Sequence, residues 1–416
     1  YLMNKSLQNL GPAIIVAAVV CGPGSILSAS KTGANYGYSM TWVIVLAVLL
    51  MIGSSALSAR LGAIMKGTPC DEITESFGRF AAILVGSTVF LIAAGFQTSN
   101  NMAVFKAIAP YSDNHHSTFI KNHLPTLALI ALNSFLLFVV YRSKSLYKPV
   151  ETLMKVLIGL MVIAFIFNFV LSKPSLIESI KGLKPSLPEN KNSLAVFALI
   201  ATTFSIAGAF YQAYLVRDRG WNSKNVKETF VDTVVGITTL GLITLVIMLT
   251  AASTLSGKTI KLETVNDMAI QMENLFGNWA GVIFTIGIFA GALSSFLINS
   301  MIGGRLLADG FGKGGKIDSK WSKHCTAFTL LAGLFGAFFA ITDPASKNNI
   351  NPIIIAQAST ILGGPTLALA LLFLGIKNNQ RTQSQPRIPT WMLCTVTIGF
   401  IVTLVLAFKT YRKLFG

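Results

Sequence analysis

Residues Leu10 to Tyr38 read LGPAIIVAAVVCGPGSILSASKTGANYGY, an apolar run long enough to cross a bilayer but interrupted by Gly22-Pro23-Gly24-Ser25. Pro23 has no amide hydrogen and its glycine neighbours hold a helix poorly, so the run predicts two half-helices joined by unwound backbone. In hydrocarbon each unpaired backbone group costs several kcal/mol. An irregular turn at that depth therefore survives only where it lines a protein cavity or a bound solute. Cys21 to Ser25 thus reads as part of a transport site.

The composition around this run excludes a soluble globular domain: of 416 residues 53% are hydrophobic and 12% charged, with a mean hydropathy of +0.65. Windows of about 20 apolar residues predict an all-α polytopic membrane protein of about eleven spans, at 10–36 (broken), 38–60, 77–104, 125–141, 149–172, 193–216 (broken), 229–251, 278–302, 325–342, 350–376 and 389–409. One transmembrane domain, 1–416, holds them all. The net charge of +17 would point to nucleic acid in a soluble chain, but here the basic residues fall in short loops between spans, so no nucleic-acid partner is expected. Placing the N-terminus in the cytoplasm puts Arg60, Arg79, Arg142, Arg217, Arg219, Arg305, Arg381 and Arg387 on that side and leaves Arg412 outside. The expected setting is a cell membrane, a bacterial inner membrane, crossed many times. The first residues, YLMNKSLQNL, show no cleavable signal pattern, and the first span would direct insertion.

A second interruption lies in Leu194 to Val216, LAVFALIATTFSIAGAFYQAYLV, where Ala207-Gly208-Ala209 is the weak point, five spans after the first. Paired broken segments at corresponding positions in two halves point to an inverted-repeat transporter with its site where the breaks meet. The repeats would be about 10–172 and 193–376, with an extra helix at about 389–409. Gly22, Pro23, Gly24, Ser25, Thr202, Ser205, Gly208 and Ala209 are the candidate substrate-binding residues. Gln357, buried halfway across span 10 beside the Gly363-Gly364-Pro365 weak point, joins them.

Lys31, with Thr32 and Asn35, makes the half-helix after the first break polar, as an outer vestibule lining would be. Span 3 carries five successive polar residues, Gln97-Thr98-Ser99-Asn100-Asn101, which fit either interhelical hydrogen bonds or a water path. Asp71, Glu72 and Glu75 ahead of Phe77 form an acidic-then-apolar pattern suited to the first turn of a helix. Gly291-Ala292-Leu293-Ser294-Ser295 in span 8 are small residues that let helices approach closely. Glu151 and Lys155, four apart, can pair on one helix face. His115, His116 and His123 read as a solvated loop rather than a metal site. Cys21, Cys70, Cys325 and Cys394 show no paired spacing, so neither a disulfide framework nor a zinc motif follows, and no cofactor is expected. No nucleophile, base and acid converge in any segment, which argues against an enzyme.

These residues resemble the Nramp divalent-metal transporters over nearly the whole chain. Gly11-Pro12, Pro23-Gly24, Gly33-Ala34 with Tyr36-Gly37-Tyr38, Leu57-Ser58-Ala59-Arg60-Leu61-Gly62, Thr202-Thr203, Gly291 to Ser295 and Gln357 look like Nramp positions in Nramp order. The resemblance implies LeuT-type inverted five-helix repeats with about 11 transmembrane helices, spans 1 and 6 discontinuous, working by alternating access. The site departs from the family. Nramp metal transporters carry Asp-Pro-Gly-Asn at the first break, where this chain has Gly22-Pro23-Gly24-Ser25. The family's Met-Pro-His stretch and later histidine fall on Ser205, Ile206, Ala207 and Gln212, and no Asp or Glu between Phe80 and Tyr111 matches the family's glutamate in span 3.

A divalent cation at the midplane needs charge compensation and oxygen, nitrogen or sulfur ligands. Two serines and a glutamine do not supply that charge, whereas the starts of two half-helices each carry roughly +0.5 of a charge. The expected cargo is therefore a small anion such as bicarbonate, drawn in past Lys31. The alternatives are a divalent metal cation, manganese or hydrated magnesium, held by Gln357, Ser25, Ser205 and carbonyls; a neutral solute; and a non-transporting sensor. The partners expected are a small inorganic ion, with a proton as a coupling option, and the lipid bilayer, around a monomer.

Overall fold

The computed structural model of the protein describes residues 11–20, 22–113, 117–142, 163, 166–167, 169–186, 193–256, 280–342, 352–380 and 386–415. Cys21, His115, His116, Glu151, Lys155 and most of span 149–172 lie outside the described residues. Eight segments among the described residues are long and apolar enough to cross a membrane, the first of them running through Pro23–Ile64.

The opening run is split as its composition dictates. Helix α1 spans Pro12–Val20 and α2 spans Pro23–Tyr36. Gly22 between them is extended (φ −70°, ψ 165°), and Pro23 opens α2, where its missing N–H is not needed and its fixed φ already suits a helix. After a 3₁₀ turn at Gly37–Met40, α3 runs over Thr41–Ile64.

The acidic stretch forms a helix of its own, α4, Pro69–Phe77, rather than the start of the next span. Thr68 and Asp71 cap each other reciprocally at its start, and Gly78 ends it at φ 79°, a conformation costly for other residues. Helices α5 (Arg79–Asp113) and α6 (Thr118–Arg142) follow, and after a short helix α7 (Leu176–Lys181) the second broken pair, α8 (Ser193–Thr203) and α9 (Ile206–Asp218).

That second break sits at Phe204–Ser205, ahead of the expected Ala207-Gly208-Ala209. Ser205 takes the N-cap position with its Oγ accepting from Gly208 N–H at 3.4 Å, so the serine starts the helix and the glycine lies inside its first turn. The chain continues through α10 (Val226–Leu255), α11 (Ala280–Gly310), α12 (Lys320–Thr342), α13 (Pro352–Ser359), a 3₁₀ turn at Thr360–Gly363, α14 (Gly364–Gln380) and α15 (Thr390–Phe415).

The two broken helices pair half to half. Helix α2 packs on α8 and α1 on α9, so the halves that precede each break meet the halves that follow the other, as two antiparallel broken helices require. Likewise α10 packs on α1 and α2 while α3 packs on α9 and α8, contacts that exchange under a two-fold relating two inverted repeats. Close approach is built from small residues: a Cβ on Gly236 would lie 2.7 Å from Ala13 Cβ, and one on Gly62 would lie 2.3 Å from the Ala213 carbonyl. The centre is filled by Phe210, Tyr211, Tyr214, Phe296 and Leu27, all buried.

Candidate functional site

At the first break the opening turn of α2 is closed on itself. Ser25 and Ile26 both donate their N–H groups to the Gly22 carbonyl, at 3.0 and 3.2 Å, and Pro23 has none to give. Gln357 lies directly across this turn. A Cβ on Gly24 would stand 1.8 Å from the Gln357 carboxamide and 2.5 Å from Ser99 Oγ, so only glycine lets the two come this close. With the carboxamide turned to suit its neighbours, its nitrogen donates to Ser28 Oγ (2.7 Å) and the Gly24 carbonyl (2.9 Å), and its oxygen accepts from Ser25 N–H (3.1 Å) and Ser99 Oγ (3.3 Å). Gln357 is 1% exposed, one turn before the 3₁₀ break that interrupts its own span.

Gly22 faces a second polar group. A Cβ there would lie 2.6 Å from Ser295 Oγ, 3.0 Å from Ser295 Cβ and 3.1 Å from Asn100 Oδ1. Ser295 Oγ in turn accepts from Asn100 Nδ2 at 2.9 Å and Asn299 Nδ2 at 3.0 Å. The space that the side chain of the family's aspartate would take is occupied by a hydroxyl and an amide.

The polar run of span 3 is engaged in helix–helix hydrogen bonds. Gln97 Nε2 donates to the Phe296 carbonyl at 2.6 Å, Asn101 Nδ2 to the Gln97 carbonyl at 2.9 Å, and Asn133 Nδ2 to Asn101 Oδ1 at 2.7 Å. The first and last of these bonds tie α5 to α11 and α6, and the Asn101 to Gln97 bond lies within α5 itself.

The expected site residues fall into two groups. Gly22, Pro23, Gly24, Ser25 and Gln357 come together at the start of α2. Thr202, Ser205, Gly208 and Ala209 are buried on the other broken helix, where Thr202 Oγ1 donates back to the Leu199 carbonyl and a Cβ on Gly208 would lie 3.2 Å from Val16 of α1. Gln212 lies one turn beyond Gly208 on the same face. It is fully buried, and neither end of its carboxamide has a hydrogen-bond partner among the described residues. Lys31 is half-buried about two turns along α2, while Thr32 is buried and donates to the Ser28 carbonyl. His123 is exposed and packs its ring against Phe119 at 5.0 Å.

Sequence reading missed Ser28, Ser99, Asn100 and Ser295 as neighbours of the break. Ser28 was within reach, since it stands four residues after Gly24 on one helix face. Ser295, one of the small residues of span 8 that let helices approach closely, also turns its hydroxyl toward Gly22 and Asn100.

The end of the bundle holding Pro12, Ile64 and Asp218 is tied by charged groups. Both Asp232 carboxylate oxygens accept at 2.8 Å, from Gly11 N–H and Ala13 N–H, so α10 caps the start of α1. Arg305 of α11 forms a two-pronged ion pair with Asp218 at the end of α9, 2.8 Å on one prong, and lies over the rings of Tyr214 and Tyr211. Tyr214 donates to Asp309 Oδ2 at 2.7 Å with Cys70 Sγ 3.3 Å away. Burial, with Asp309 nearby, pushes the Cys70 thiol far above its ordinary range. Among the described residues no group of three or more His, Cys, Asp or Glu is placed to hold a metal ion.

Residues 13–412 match the profile of the family described as natural resistance-associated macrophage protein-like, Nramp. Curated relatives include proteins named divalent metal cation transporter MntH from Pectobacterium carotovorum, 27% identical over 313 residues and 73% of each chain, and from Erwinia tasmaniensis, 25% identical over 308 residues and 73% and 72% of the chains. Among solved structures, the Eremococcus coleocola manganese transporter superposes with a TM-score of 0.79 at 15% identity, covering 100% of this chain and 89% of its own. MhsT in complex with L-phenylalanine superposes at 0.59 and 15% identity, covering 97% and 98%. With residues 13–412 of the 416 matched to the profile, the chain belongs to the Nramp family of membrane transporters.

Proposed function

We propose that this Nramp-family transporter is a secondary transporter that moves a small anion, bicarbonate being the leading candidate, by alternating access. The observation that carries this reading is the chemistry around the start of α2. The side chains placed there, Ser25, Ser28, Ser99, Asn100, Ser295 and Gln357, are all neutral hydroxyls and amides. Among the described residues every Asp and Glu stands in a loop or within about two helical turns of a helix end, away from both breaks.

A divalent cation in such a place would have no counter-charge, and its desolvation would go uncompensated. An anion meets the opposite field: α2 and α9 both begin at the breaks, each start carrying roughly +0.5 of a charge. Hydroxyl and amide hydrogens complete the set of donors. The Gln357 carboxamide oxygen, accepting from Ser25 N–H and Ser99 Oγ, is an acceptor already held at this turn, which supports the reading. Bicarbonate is compact, planar and capable of several such contacts.

A second reading, divalent-cation transport, is favoured by the names of the curated relatives. Reconstituted full-length chain separates the two. Bicarbonate-driven alkalinisation of the vesicle interior with no saturable manganese or magnesium uptake supports the anion. Saturable metal uptake without a bicarbonate response replaces it with the second reading.

A further inference from the structure

The outer face of the last helix carries a groove of about 670 Å³ lined by Leu404, Val405, Phe408, Lys409, Arg412 and Lys413. Its composition is ordered along the helix. Leu404, Val405 and Phe408 are 50%, 48% and 63% exposed, apolar rungs facing outward over one turn of a membrane span. Lys409, Arg412 and Lys413 follow over the next turn, and no acid lines the groove. The Arg412 guanidinium lies over the Phe408 ring at 5.8 Å, and Lys413 Nζ donates to Ser193 Oγ at 2.9 Å.

Three cations at a helix C-terminus favour the helix dipole by themselves. That effect does not account for the apolar rungs directly beneath them. Together the two halves repeat the order of a phospholipid: hydrocarbon along Leu404 to Phe408, phosphate among Lys409, Arg412 and Lys413.

We propose that this groove is a binding site for one anionic phospholipid. A soluble phosphate would use the cations alone, whereas a lipid whose chain lies along the rungs brings its phosphate to the cations from within the membrane. The site also reaches the transport machinery. Ser193 is the first residue of α8, whose far end is the second break, so a phosphate held by Lys413 sits against the outer end of a broken helix.

The test is native mass spectrometry of the full-length chain released from detergent with phosphatidylglycerol, phosphatidylcholine or glycerol 1-phosphate. Phosphatidylglycerol is expected to stay bound preferentially, and K409Q/R412Q/K413Q is expected to lower its retention by about a hundredfold, the order produced by removing three cations near a phosphate. The same change at exposed cations elsewhere, K316Q/K320Q, should leave retention unaltered. Where the triple variant does not fold, R412Q and L404Q separately test the two halves, and each should weaken retention. Equal retention in wild type and the folded variants overturns the proposal. So does glycerol 1-phosphate binding as tightly as the lipid, or equal retention of the zwitterionic lipid.

Discussion

Replacing Gly22 with aspartate tests the anion reading at the point where its steric and electrostatic consequences are both readable. The new Cβ would stand 2.6 Å from Ser295 Oγ and 3.0 Å from Ser295 Cβ. Ser295 has to move while its hydroxyl accepts from Asn100 and Asn299, an overpacking cost of about 1–3 kcal/mol. The carboxylate then lies beside the start of α2. At about 4 Å from a bound anion and an effective dielectric near 20, the repulsion is about 4 kcal/mol, close to a thousandfold in affinity. Gly22→Asp is therefore expected to abolish bicarbonate-driven pH change in proteoliposomes and to lower the melting temperature. Adding Ser295→Gly removes the obstructing side chain and leaves the charge, so the double variant should regain stability without regaining flux. Normal flux in folded Gly22→Asp refutes the reasoning, as does restoration of flux by Ser295→Gly, which would make the effect one of space alone.

Four further outcomes are expected. Ser25→Ala should weaken transport two- to tenfold, the ~0.5–1.5 kcal/mol of one hydrogen bond, and a complete loss in uptake assays would show that backbone does not dominate the site. Asp232→Asn turns an amide NH₂ toward the Gly11 or Ala13 N–H and removes the charge at the start of α1. At about 1.5–3 kcal/mol per charge-assisted bond, thermal unfolding should shift down by several degrees, and an unchanged midpoint would mean the cap is energetically idle. Cys70 is buried with its thiol pushed far up, so the protonated form persists throughout the neutral and mildly alkaline range. Its maleimide labelling in the folded protein, followed by peptide mass spectrometry, should stay negligible from pH 7 to about pH 9 and become complete on unfolding in denaturant, and ready labelling of the folded protein in that range would refute the burial. Lys31→Glu should slow uptake more at 10 mM than at 300 mM salt, because steering acts over roughly a Debye length, and a salt-independent defect would assign Lys31 a contact role instead.

What was legible in the sequence is what local chemistry decides. Pro23 between glycines breaks a helix wherever it occurs, and 20-residue apolar windows require spans. The first break, the polytopic architecture and the pairing of two interrupted helices therefore followed from composition and order alone. The second break lies a few residues ahead of the glycine that composition marks as the weak point, because Ser205, a better cap than Gly208, sets the start of α9. The acidic pattern before Phe77 does mark a helix start, with Asp71 and Glu72 in the first turn of α4, and Gly78 at positive φ separates that helix from α5. The departure from the family's metal ligands was also visible, since it is a matter of residue identity.

Only the tertiary structure decided what fills the space those ligands left. Ser28 and Gln357 are 329 positions apart, Asn100 and Ser295 are 195 apart, and Asp232 meets Gly11 across 221. The same structure also gave Gln97, Asn100 and Asn101 partners on neighbouring helices, because a polar residue in a span satisfies its hydrogen bonds with whatever helix lies beside it. A residue type records that a partner is needed. Which atom meets that need depends on the approach of segments far apart in the chain, set by packing over whole helices rather than by any local pattern.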